Sequence, residues 1–356
     1  MEQEPERIIE EGISDGTFPG AVVLVEKAGR TVLSVVRGNR QLQPVREPMT
    51  EDTLFDLASL TKPLATAPMV LALCDREGIE LSSSLGRFLP ELCPEAAAIT
   101  ILQALLHTGG LPPVPDLYRE FPDAGSADPA AAERLLLSRR PTTKAGTEVV
   151  YSCTGYQLLG LFLKRVGGRR LRDLFRSLAA EPCGLTDLEF SPEGEARRRA
   201  AATERCPWRG RWIRGEVHDE NSWCLGGDAG NAGLFGTASS VLRWLSVFSR
   251  GGVLGGVRVL PEPGVRLMRT CLTEGMNRRR AVGFMMHDAE APVGPLYGAD
   301  SFGHTGFTGT SVWTEPSLDL RVVLLTNRVH LGRAGTDVKM REFRLRLHGA
   351  VRRAFA

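Results

Sequence analysis

Segments that read as β-strands lie near both ends of this chain, and this placement limits the folds open to it. Two β-branched runs near the N-terminus, GAVVLVEKAG and TVLSVVRGN, meet at a Gly-Arg turn and predict a hairpin. AVGFMM, SFGHTGFTGTSVW and LRVVLLTN near the C-terminus are again strand-like. Because strands bury their apolar faces in a common layer, we expect both ends to contribute to one sheet.

The middle of the chain is helix-like. ITILQALLHTGG, DPAAAERLLLSRR and YSCTGYQLLGLFLKRVGG carry apolar residues at helical spacing and end in Gly or Arg, whereas residues 204–223 predict an extended loop. The predicted fold class is therefore α+β. Its antiparallel sheet comes from residues 1–78 and 225–356 and is flanked by helices. Residues 79–224 form an inserted, mainly helical subdomain, with the active site expected in the cleft between the two.

The charge and the hydropathy of the chain bear on which partners and which location are expected. The formal net charge of +2 over 356 residues gives no reason to expect nucleic acid or an anionic membrane. No run of about 18 apolar residues is present, so no membrane span is expected. The acidic start MEQEPERIIEEGISDG does not have the form of a secretory signal. These features predict a cytoplasmic protein, or a periplasmic or secreted one if a leader has been removed.

Cysteine and histidine spacing gives no support for a metal. The seven cysteines are scattered and never spaced as C-x-x-C, which predicts reduced thiols. His218, Asp219 and Glu220 lack a second His at helical spacing, so a structural loop near the cleft is expected there, with no metal and no cofactor. The aromatic residues of the neighbouring loop either line an acyl or leaving-group pocket or pack against the helices; they are Trp208, Trp212 and Trp223.

Lys62 is the only charged residue between Asp56 and Asp75, and only five of the 44 basic residues are lysines. A helix is predicted from Ser59 to Glu77, with a kink at Pro68 and its end at Gly78. Ser59 and Lys62 then share one helix face, with Ser59 at the N-terminus, where free N–H groups favour a negative charge.

This pair suggests nucleophilic catalysis. A serine hydroxyl needs a base, and a lysine in apolar surroundings loses its proton more easily. The alternative is that Ser59 caps the helix while Lys62 extends to solvent. Tyr151 opens a later helix and either joins a proton relay or packs as an aromatic. The glycine-rich strand at His304 either presents an N–H to an oxyanion or is an edge strand with a satisfied histidine.

Three motifs in this order resemble those of the serine β-lactamase and penicillin-binding protein superfamily: Ser59-Leu60-Thr61-Lys62, Tyr151-Ser152-Cys153 and His304-Thr305-Gly306. The sequence looks most like the class C branch, with its related D-alanyl-D-alanine carboxypeptidases and carboxylesterases. The flanks FPGAVVLV, LLHTGGLP, VHDEN, AGLFGTASS and GHTGFTGTSVW match as well, so the resemblance covers nearly the whole chain. It implies a β-lactamase/transpeptidase-like fold.

The resemblance also implies roles. Ser59 would form an acyl-enzyme, and Lys62 and Tyr151 would share the general-base and general-acid work, in an order that the sequence leaves open. The backbone N–H groups of Ser59 and Phe307 would form the oxyanion hole. His304, which stands where many relatives carry Lys, would bind a substrate carboxylate or tune Tyr151. The expected substrate contacts are Cys153, Thr305 and Gly306.

Two departures from the family pattern bear on specificity. Cys153 stands where Asn is common, and a thiol is a poor replacement for an amide that binds acylamino substrates. His304 in place of Lys weakens the fixed positive charge at neutral pH. Both changes favour an esterase or a peptidase over an efficient β-lactamase. Asn231 stands where His is expected, and the sequence offers no physical account of that change.

The sequence thus predicts a serine hydrolase that acts on a small-molecule ester, amide or peptide through acyl-Ser59. One alternative is a true class C-type β-lactamase or D-Ala-D-Ala carboxypeptidase, which would need export. An alternative of another class is a non-catalytic scaffold or binding protein that keeps the fold. The sequence does not specify an oligomeric state.

Overall fold

Short strands and helices alternate along the protein, whose computed structural model describes residues 4–355. The strands are β1 Gly20–Lys27, β2 Arg30–Gln41, β3 Glu47–Pro48, β4 Phe55–Asp56, β5 Leu188–Phe190, β6 Ala202–Cys206, β7 Arg211–Arg214, β8 Leu234–Gly236, β9 Val253–Leu254, β10 Val257–Arg258, β11 Met285–Met286, β12 Phe302–Thr305, β13 Ser311–Glu315 and β14 Leu320–Thr326. The α-helices are α1 Glu4–Ser14, α2 Ala67–Glu77, α3 Pro94–Ala97, α4 Ile101–Leu105, α5 Pro129–Leu137, α6 Cys153–Gly167, α7 Leu171–Phe175, α8 Gly194–Arg199, α9 Glu220–Cys224, α10 Ala238–Ser249, α11 Glu262–Arg269 and α12 Thr336–Phe355.

One seven-stranded antiparallel sheet joins the two ends of the chain. Its strand order is β11-β12-β13-β14-β1-β2-β3. The first strand pairs with the last in a continuous register that runs from Ala21↔Thr326 to Lys27↔Leu320. The predicted antiparallel sheet from N- and C-terminal segments is therefore confirmed, as is the hairpin formed by β1 and β2.

The sheet is buried on both faces. Val23 and Leu324 pack with Phe343 and other residues of α1 and α12 on one side. Val22 and Val323 point to the opposite side and join the larger core, which contains α2, α6 and α10. Alternate strand residues thus face two apolar layers, as the two-residue period of a strand requires. None of the helices within residues 4–355 is both long enough and apolar enough to cross a membrane.

The helix predicted from Ser59 to Glu77 is divided into three parts. A 3-10 turn at Ala58–Leu60 is followed by a π-helical turn at Lys62–Thr66, and α2 begins only at Ala67. The kink expected at Pro68 stays a prediction, and the irregular part lies in the turn before this proline. Pro68 lies in the first turn of α2, where its missing N–H costs little. The predicted end is correct: Gly78 has φ 63°.

Residues 204–223 are more regular than the predicted extended loop. Strands β6 and β7 form a hairpin here, with Gly210 at φ 67° in the turn. Helix α9 then follows, and its cap is Asp219, whose side chain accepts a hydrogen bond from the Ser222 N–H at 2.6 Å. Gly210 and Asp219 are the turn and cap signals of these elements. They were not recognised because the whole segment is polar.

The turn after β12 lies against the segment that leads to Ser59. The Thr308 hydroxyl donates to the Asp56 carbonyl at 2.8 Å, and the Thr310 hydroxyl donates to the Leu57 carbonyl at 3.2 Å. A Cβ atom on Gly306 would lie 2.1 Å from Thr310 Oγ1 and 2.7 Å from the Leu57 carbonyl oxygen. Only glycine allows the two segments to approach this closely.

Gly306→Ala is therefore expected to lower the free energy of unfolding by about 1–3 kcal/mol, the usual cost of overpacking. Urea denaturation gives the measurement. Gly155→Ala is the matched control, because the nearest atom to its added Cβ is 3.6 Å away and alanine favours a helix. Equal stability of Gly306→Ala and wild type would contradict the close approach.

Candidate active site

Ser59 lies on the 3-10 turn between β4 and α2. The preceding residue, Ala58, adopts φ 47°, which is unfavourable for a side chain with a Cβ. The buried Asp56 carboxylate supports this conformation by accepting from the Ala58 N–H at 2.8 Å and from the His218 N–H at 2.6 Å. Burial raises the pKa of Asp56, and the hydrogen bond from His218 opposes that rise.

Lys62 brings an amine to the Ser59 hydroxyl. Its side chain is fully buried, and Nζ lies 3.0 Å from Ser59 Oγ. Nζ also donates to the Asn231 carbonyl at 3.1 Å and lies 3.6 Å from Cys153 Sγ. Across residues 4–355 no carboxylate forms an ion pair with this lysine. The predicted pairing of Ser59 with Lys62 is thus present in the geometry, and the solvent-exposed alternative for Lys62 is not.

Tyr151 comes to the same place from the loop before α6. Lys62 Nζ lies 4.8 Å from the centroid of its ring. The His107 ring lies at a centroid distance of 4.6 Å from the Tyr151 ring, tilted by 42°, and its Nδ1 accepts from the Ser152 N–H at 3.0 Å. The adjacent Ser152 side chain caps α6 by accepting from Gly155. The helix start and the histidine together determine where the phenol lies.

The amine and the phenol influence each other's ionisation. Burial lowers the pKa of Lys62, but the interactions of its ammonium with Cys153 and Tyr151 raise the pKa by more, so that it lies above its usual value. The expectation that this lysine loses its proton more easily is therefore wrong. Burial raises the pKa of Tyr151, and the Lys62 charge opposes that rise. The two groups therefore titrate as a pair. At neutral pH this pair must lose a proton before either group can act as a base.

His304 faces the same site as a neutral ring. Burial, followed by the positive charges of Lys62 and Arg280, holds its pKa well below the usual 6.5. Its Nδ1 lies 2.8 Å from the Thr305 carbonyl oxygen. Because a carbonyl only accepts, Nδ1 carries the hydrogen and Nε2 carries a lone pair. Among the described residues no group hydrogen-bonds the buried Nε2. The His304 ring lies 5.8 Å from the Tyr151 ring.

Phe307 follows β12 in a turn, and its N–H donates to no other group within residues 4–355. Its ring is 47% exposed at the rim of the site. The His218 ring stacks on it at 5.6 Å, and the Arg328 guanidinium lies 4.9 Å from its centroid. An unused donor on the backbone and an exposed ring therefore occur at one residue.

These groups surround a cleft of about 340 Å³. Its lining residues are Ser59, Tyr151, Arg280, Met285, His304, Thr305, Gly306, Phe307, Arg328, Asp337, Met340 and Arg344. The cleft includes every predicted site residue except Lys62 and Cys153. Lys62 lies beneath Ser59, and the Cys153 sulfur contacts Lys62.

Sequence reasoning did not find Asp56, His107 or Arg280 as residues of this site. It also did not identify Asn231 as a hydrogen-bond acceptor for Lys62. Asp56 and His107 are polar residues within apolar runs, which is the signal that could have found them. The structure shows the contacts of Asn231. Its carbonyl accepts from Lys62, and its side-chain oxygen accepts from Gln157 at 3.0 Å and from Ser222 at 2.8 Å.

A cluster beside the site has the donors of a metal centre. Glu204, Cys206 and Glu220 hold potential ligand atoms within 4.8 Å of one another. The Arg333 guanidinium forms ion pairs with both carboxylates and so supplies the positive charge there. Burial works to raise the pKa of Glu204, but hydrogen bonds from His218 and Arg333 lower it to about 2. This cluster fits an arginine better than a metal ion.

The three tryptophans of this region pack against the protein. Trp208 donates to the Phe121 carbonyl at 3.1 Å, Trp212 lies 4.7 Å from the ring of His330, and Trp223 lies 4.6 Å from the Arg209 guanidinium. None of them lines the cleft at Ser59 within the described chain. Of the two interpretations of the sequence, packing is the one that these contacts support.

Asp56→Asn tests the support beneath Ser59. An amide can accept from one of the two N–H groups but turns its own NH₂ toward the other, so we expect the free energy of unfolding at pH 7 to fall by about 1–3 kcal/mol. Asp52→Asn, a change at a side chain that is 59% exposed, is the control and should remain within about 0.5 kcal/mol. A wild-type midpoint in urea for Asp56→Asn would contradict the role of the carboxylate.

Two comparisons place this chain among known sequences. A family model described as Beta-lactamase matches residues 5–345. The N-acetylmuramyl-L-alanine amidase of Bacillus subtilis (strain 168) is 28% identical, over 91% of this chain and 80% of that protein. A protein of Escherichia coli (strain K12) that is provisionally described as a D-alanyl-D-alanine carboxypeptidase is 27% identical, over 81% of this chain and 71% of that protein.

Solved structures share the fold. EstCE1, a hydrolase with promiscuous acyltransferase activity, has a TM-score of 0.73 and 22% identity over 96% of this chain and 98% of that one. A class C β-lactamase from Rhodobacter sphaeroides has a TM-score of 0.73 and 21% identity over 98% of this chain and 99% of that one. The fold predicted from the three motifs is confirmed. Because the family model covers nearly the whole chain, this protein belongs to the beta-lactamase family.

Proposed function

We propose that the protein is a serine hydrolase that cleaves an ester or amide through an acyl-enzyme on Ser59. The observation that carries this proposal is the 3.0 Å contact between Lys62 Nζ and Ser59 Oγ, at the floor of a cleft that also contains Tyr151. A buried amine next to a hydroxyl, which no carboxylate among residues 4–355 neutralises, is costly unless it is used. This cost argues against the non-catalytic scaffold.

Proton transfer would start from the Lys62–Tyr151 pair. Once the pair has lost a proton, either the amine or the phenolate can take the hydroxyl proton of Ser59 as its oxygen attacks the carbonyl. The order of the two remains open. His304 would assist by tuning Tyr151, because its Nε2 lone pair can accept a proton or a hydrogen bond. As a neutral acceptor it is poorly suited to the alternative role of binding a carboxylate.

The remaining steps would use the same groups. The N–H groups of Ser59 and Phe307 would stabilise the negative oxygen of the tetrahedral intermediate. The leaving group would depart with a proton from Tyr151, and a water molecule, activated by the same pair, would then hydrolyse the acyl-enzyme. Thr305 and Gly306 would contact the substrate along the edge of the cleft, and Cys153 would contribute through its position beside Lys62.

Two features guide the choice of substrate. Cys153 lacks the amide that would bind an acylamino substrate, which favours esters and simple amides. The amidase and carboxypeptidase descriptions of the relatives support amide cleavage as a second candidate, and a true class C-type β-lactamase remains the alternative. A small-molecule substrate and a cytoplasmic location remain predictions.

The first test compares a short-chain p-nitrophenyl ester with a chromogenic cephalosporin. Ser59→Ala is expected to reduce hydrolysis of the preferred compound by about 10³-fold or more, because the nucleophile is lost. Intact-mass analysis after treatment with a fluorophosphonate should show one adduct on wild type and none on Ser59→Ala. Ser138→Ala, at an exposed helix end, is the control and should match wild type. If wild type and Ser59→Ala hydrolyse both compounds equally slowly, the proposal that the protein is a serine hydrolase fails.

A second prediction concerns pH. Because the pKa values of both Lys62 and Tyr151 are raised, the active, singly deprotonated pair becomes more populated as pH rises. We expect kcat/KM for the ester to increase up to tenfold per pH unit on the acidic side of this ionisation, with no inflection near 6.5. Tyr151→Phe should lower kcat/KM by about 10²–10⁴-fold. A wild-type profile governed by a group near pH 6.5 would instead assign the base to a histidine.

A further inference from the structure

The two N–H groups expected to form the oxyanion hole come from two separate turns of the backbone. Ser59 lies on the turn after β4, and Phe307 lies on the turn after β12. Within residues 4–355 neither N–H donates to another group of the backbone. Two donors stabilise an oxyanion only if both point at the position of one oxygen. The spacing between the two turns therefore matters, and His218 contacts both of them.

His218 is connected to the Ser59 turn through its backbone. The residue is 4% exposed, and its N–H donates to one oxygen of the Asp56 carboxylate at 2.6 Å. The other oxygen of this carboxylate accepts from the Ala58 N–H at 2.8 Å, directly before Ser59. One buried carboxylate thus joins His218 to the turn that carries the first donor.

His218 is connected to the Phe307 turn through its ring. The two rings are stacked, with centroids 5.6 Å apart and an angle of 22° between their planes. The Phe307 carbonyl accepts from Arg328 Nε at 2.8 Å. These contacts hold the ring and the carbonyl of Phe307, and they leave its N–H free to donate to a ligand.

Glu204 holds the His218 ring in this orientation. Its carboxylate oxygen lies 3.1 Å from His218 Nε2. With a pKa of about 2 the carboxylate is ionised at neutral pH and only accepts, so Nε2 carries the hydrogen. Arg333 Nε contacts both oxygens of Glu204 at 2.8 Å, and the Arg333 guanidinium lies 5.7 Å from the centroid of the Phe307 ring. The four side chains therefore support one another beside the cleft.

We propose that His218 is a positioning residue of the oxyanion hole, whose backbone holds the Ser59 turn and whose ring holds the Phe307 turn, so that both N–H groups converge on one oxygen. The inference rests on the proposed function. His218 is not among the residues that line the cleft in the described chain, so it acts through Asp56 and Phe307. Loss of its ring should weaken binding of the tetrahedral intermediate and leave binding of the substrate nearly unchanged.

His218→Ala tests the ring, because the backbone N–H to Asp56 is kept. The kcat for p-nitrophenyl acetate is expected to fall about 10–100-fold, and KM to change less than about threefold, since a displaced oxyanion donor affects the transition state. The Ki of phenylboronic acid, to whose boron the Ser59 oxygen adds, should rise by the same factor. His218→Phe keeps a stacked ring and should stay within about fivefold of wild type in both measurements.

If His218→Ala does not fold, His218→Leu gives the same comparison, because it fills the space without a planar ring. Wild-type kcat and wild-type phenylboronic acid affinity in the folded variant would overturn the proposal.

His330→Ala is the matched control. His330 is also a buried histidine, but its ring lies 4.7 Å from Trp212, and its Nδ1 contacts the carbonyl of Thr203, the neighbour of Glu204 in β6. This variant should lose thermal stability and keep the wild-type kcat and Ki in its folded form. Equal losses of kcat in His330→Ala and His218→Ala would show a general structural effect and overturn the proposal.

A double-mutant cycle tests the route from His218 to the site. Phe307→Ala removes the ring that His218 contacts and keeps the N–H. In this background His218→Ala is expected to change kcat and the phenylboronic acid Ki by less than about threefold, because residues that act through one contact are not additive. If the two effects multiply in full, His218 acts by another route and the proposal is wrong.

NMR separates the two hypotheses without turnover. Gly283-Phe284 and Gly306-Phe307 are the two Gly-Phe pairs of the sequence. Glycine labelled with ¹³C at the carbonyl and phenylalanine labelled with ¹⁵N therefore select two amide signals, and Phe307→Ala assigns them. His218→Ala should shift or broaden the Phe307 signal and leave the Phe284 signal unchanged, and His218→Phe should restore it.

This measurement also distinguishes a failure of the inference from a failure of the proposed function. If no ester is hydrolysed through Ser59, the proposed function fails, and the Phe307 signal alone decides whether His218 positions that amide. If Ser59-dependent hydrolysis occurs but His218→Ala leaves the Phe307 signal and kcat unchanged, the inference fails while the proposed function stands.

Discussion

The buried ammonium of Lys62 is the group on which the arrangement of the site depends. A charge removed from water needs polar partners in defined places, and an unpaired one is costly. The partners here are the Ser59 hydroxyl, the Asn231 carbonyl and the Cys153 sulfur. They come from three segments far apart in sequence. One amine therefore couples the turn before α2, the loop before β8 and the start of α6.

The sheet and its loops hold these segments in place. Asp56 accepts two backbone N–H groups and so joins the strand before Ser59 to the loop at His218. The threonines after β12 donate to the backbone carbonyls of Asp56 and Leu57, and Gly306 allows the approach. The left-handed Ala58 next to the serine is thereby maintained against its conformational cost. Hydrogen bonds between side chains and the backbone thus help to position the hydroxyl.

The electrostatic character of the cleft comes from arginines and not from histidines. His304 and His107 are both neutral because burial and nearby cations hold their pKa values well below 6.5. Arg328 and Arg344 are used in holding the turn after β12. The Arg280 guanidinium lies 5.9 Å from the centroid of the Tyr151 ring and forms no ion pair among the described residues. A histidine on β12 is thus compatible with an electropositive site.

The motif arguments identified more of this site than local patterns alone could. Ser59, Tyr151 and His304 line one cleft, and Lys62 lies directly beneath the serine. Local patterns were less successful where contacts between distant segments determine the backbone conformation. The break near Pro68 lies earlier than its sequence suggested, and there the Leu64 carbonyl accepts from Trp244, far away in the chain. Residues 204–223 form a hairpin and a helix whose turn and cap were hidden by polar composition.

Alternating apolar residues at both ends and helical spacing in the middle determined by themselves that this chain forms an α+β protein with one shared sheet, because these periods reflect which face each element buries. The order of three short motifs determined the family and the serine–lysine pair. Only the tertiary structure decided which buried charges are satisfied. Arg280, Arg328 and Arg344 are the same residue type in the sequence. Contacts between distant segments give Arg328 and Arg344 hydrogen-bond acceptors, whereas Nε and Nη1 of Arg280 have none among residues 4–355. Burial and pairing are properties of the packed chain, and no local pattern encodes them.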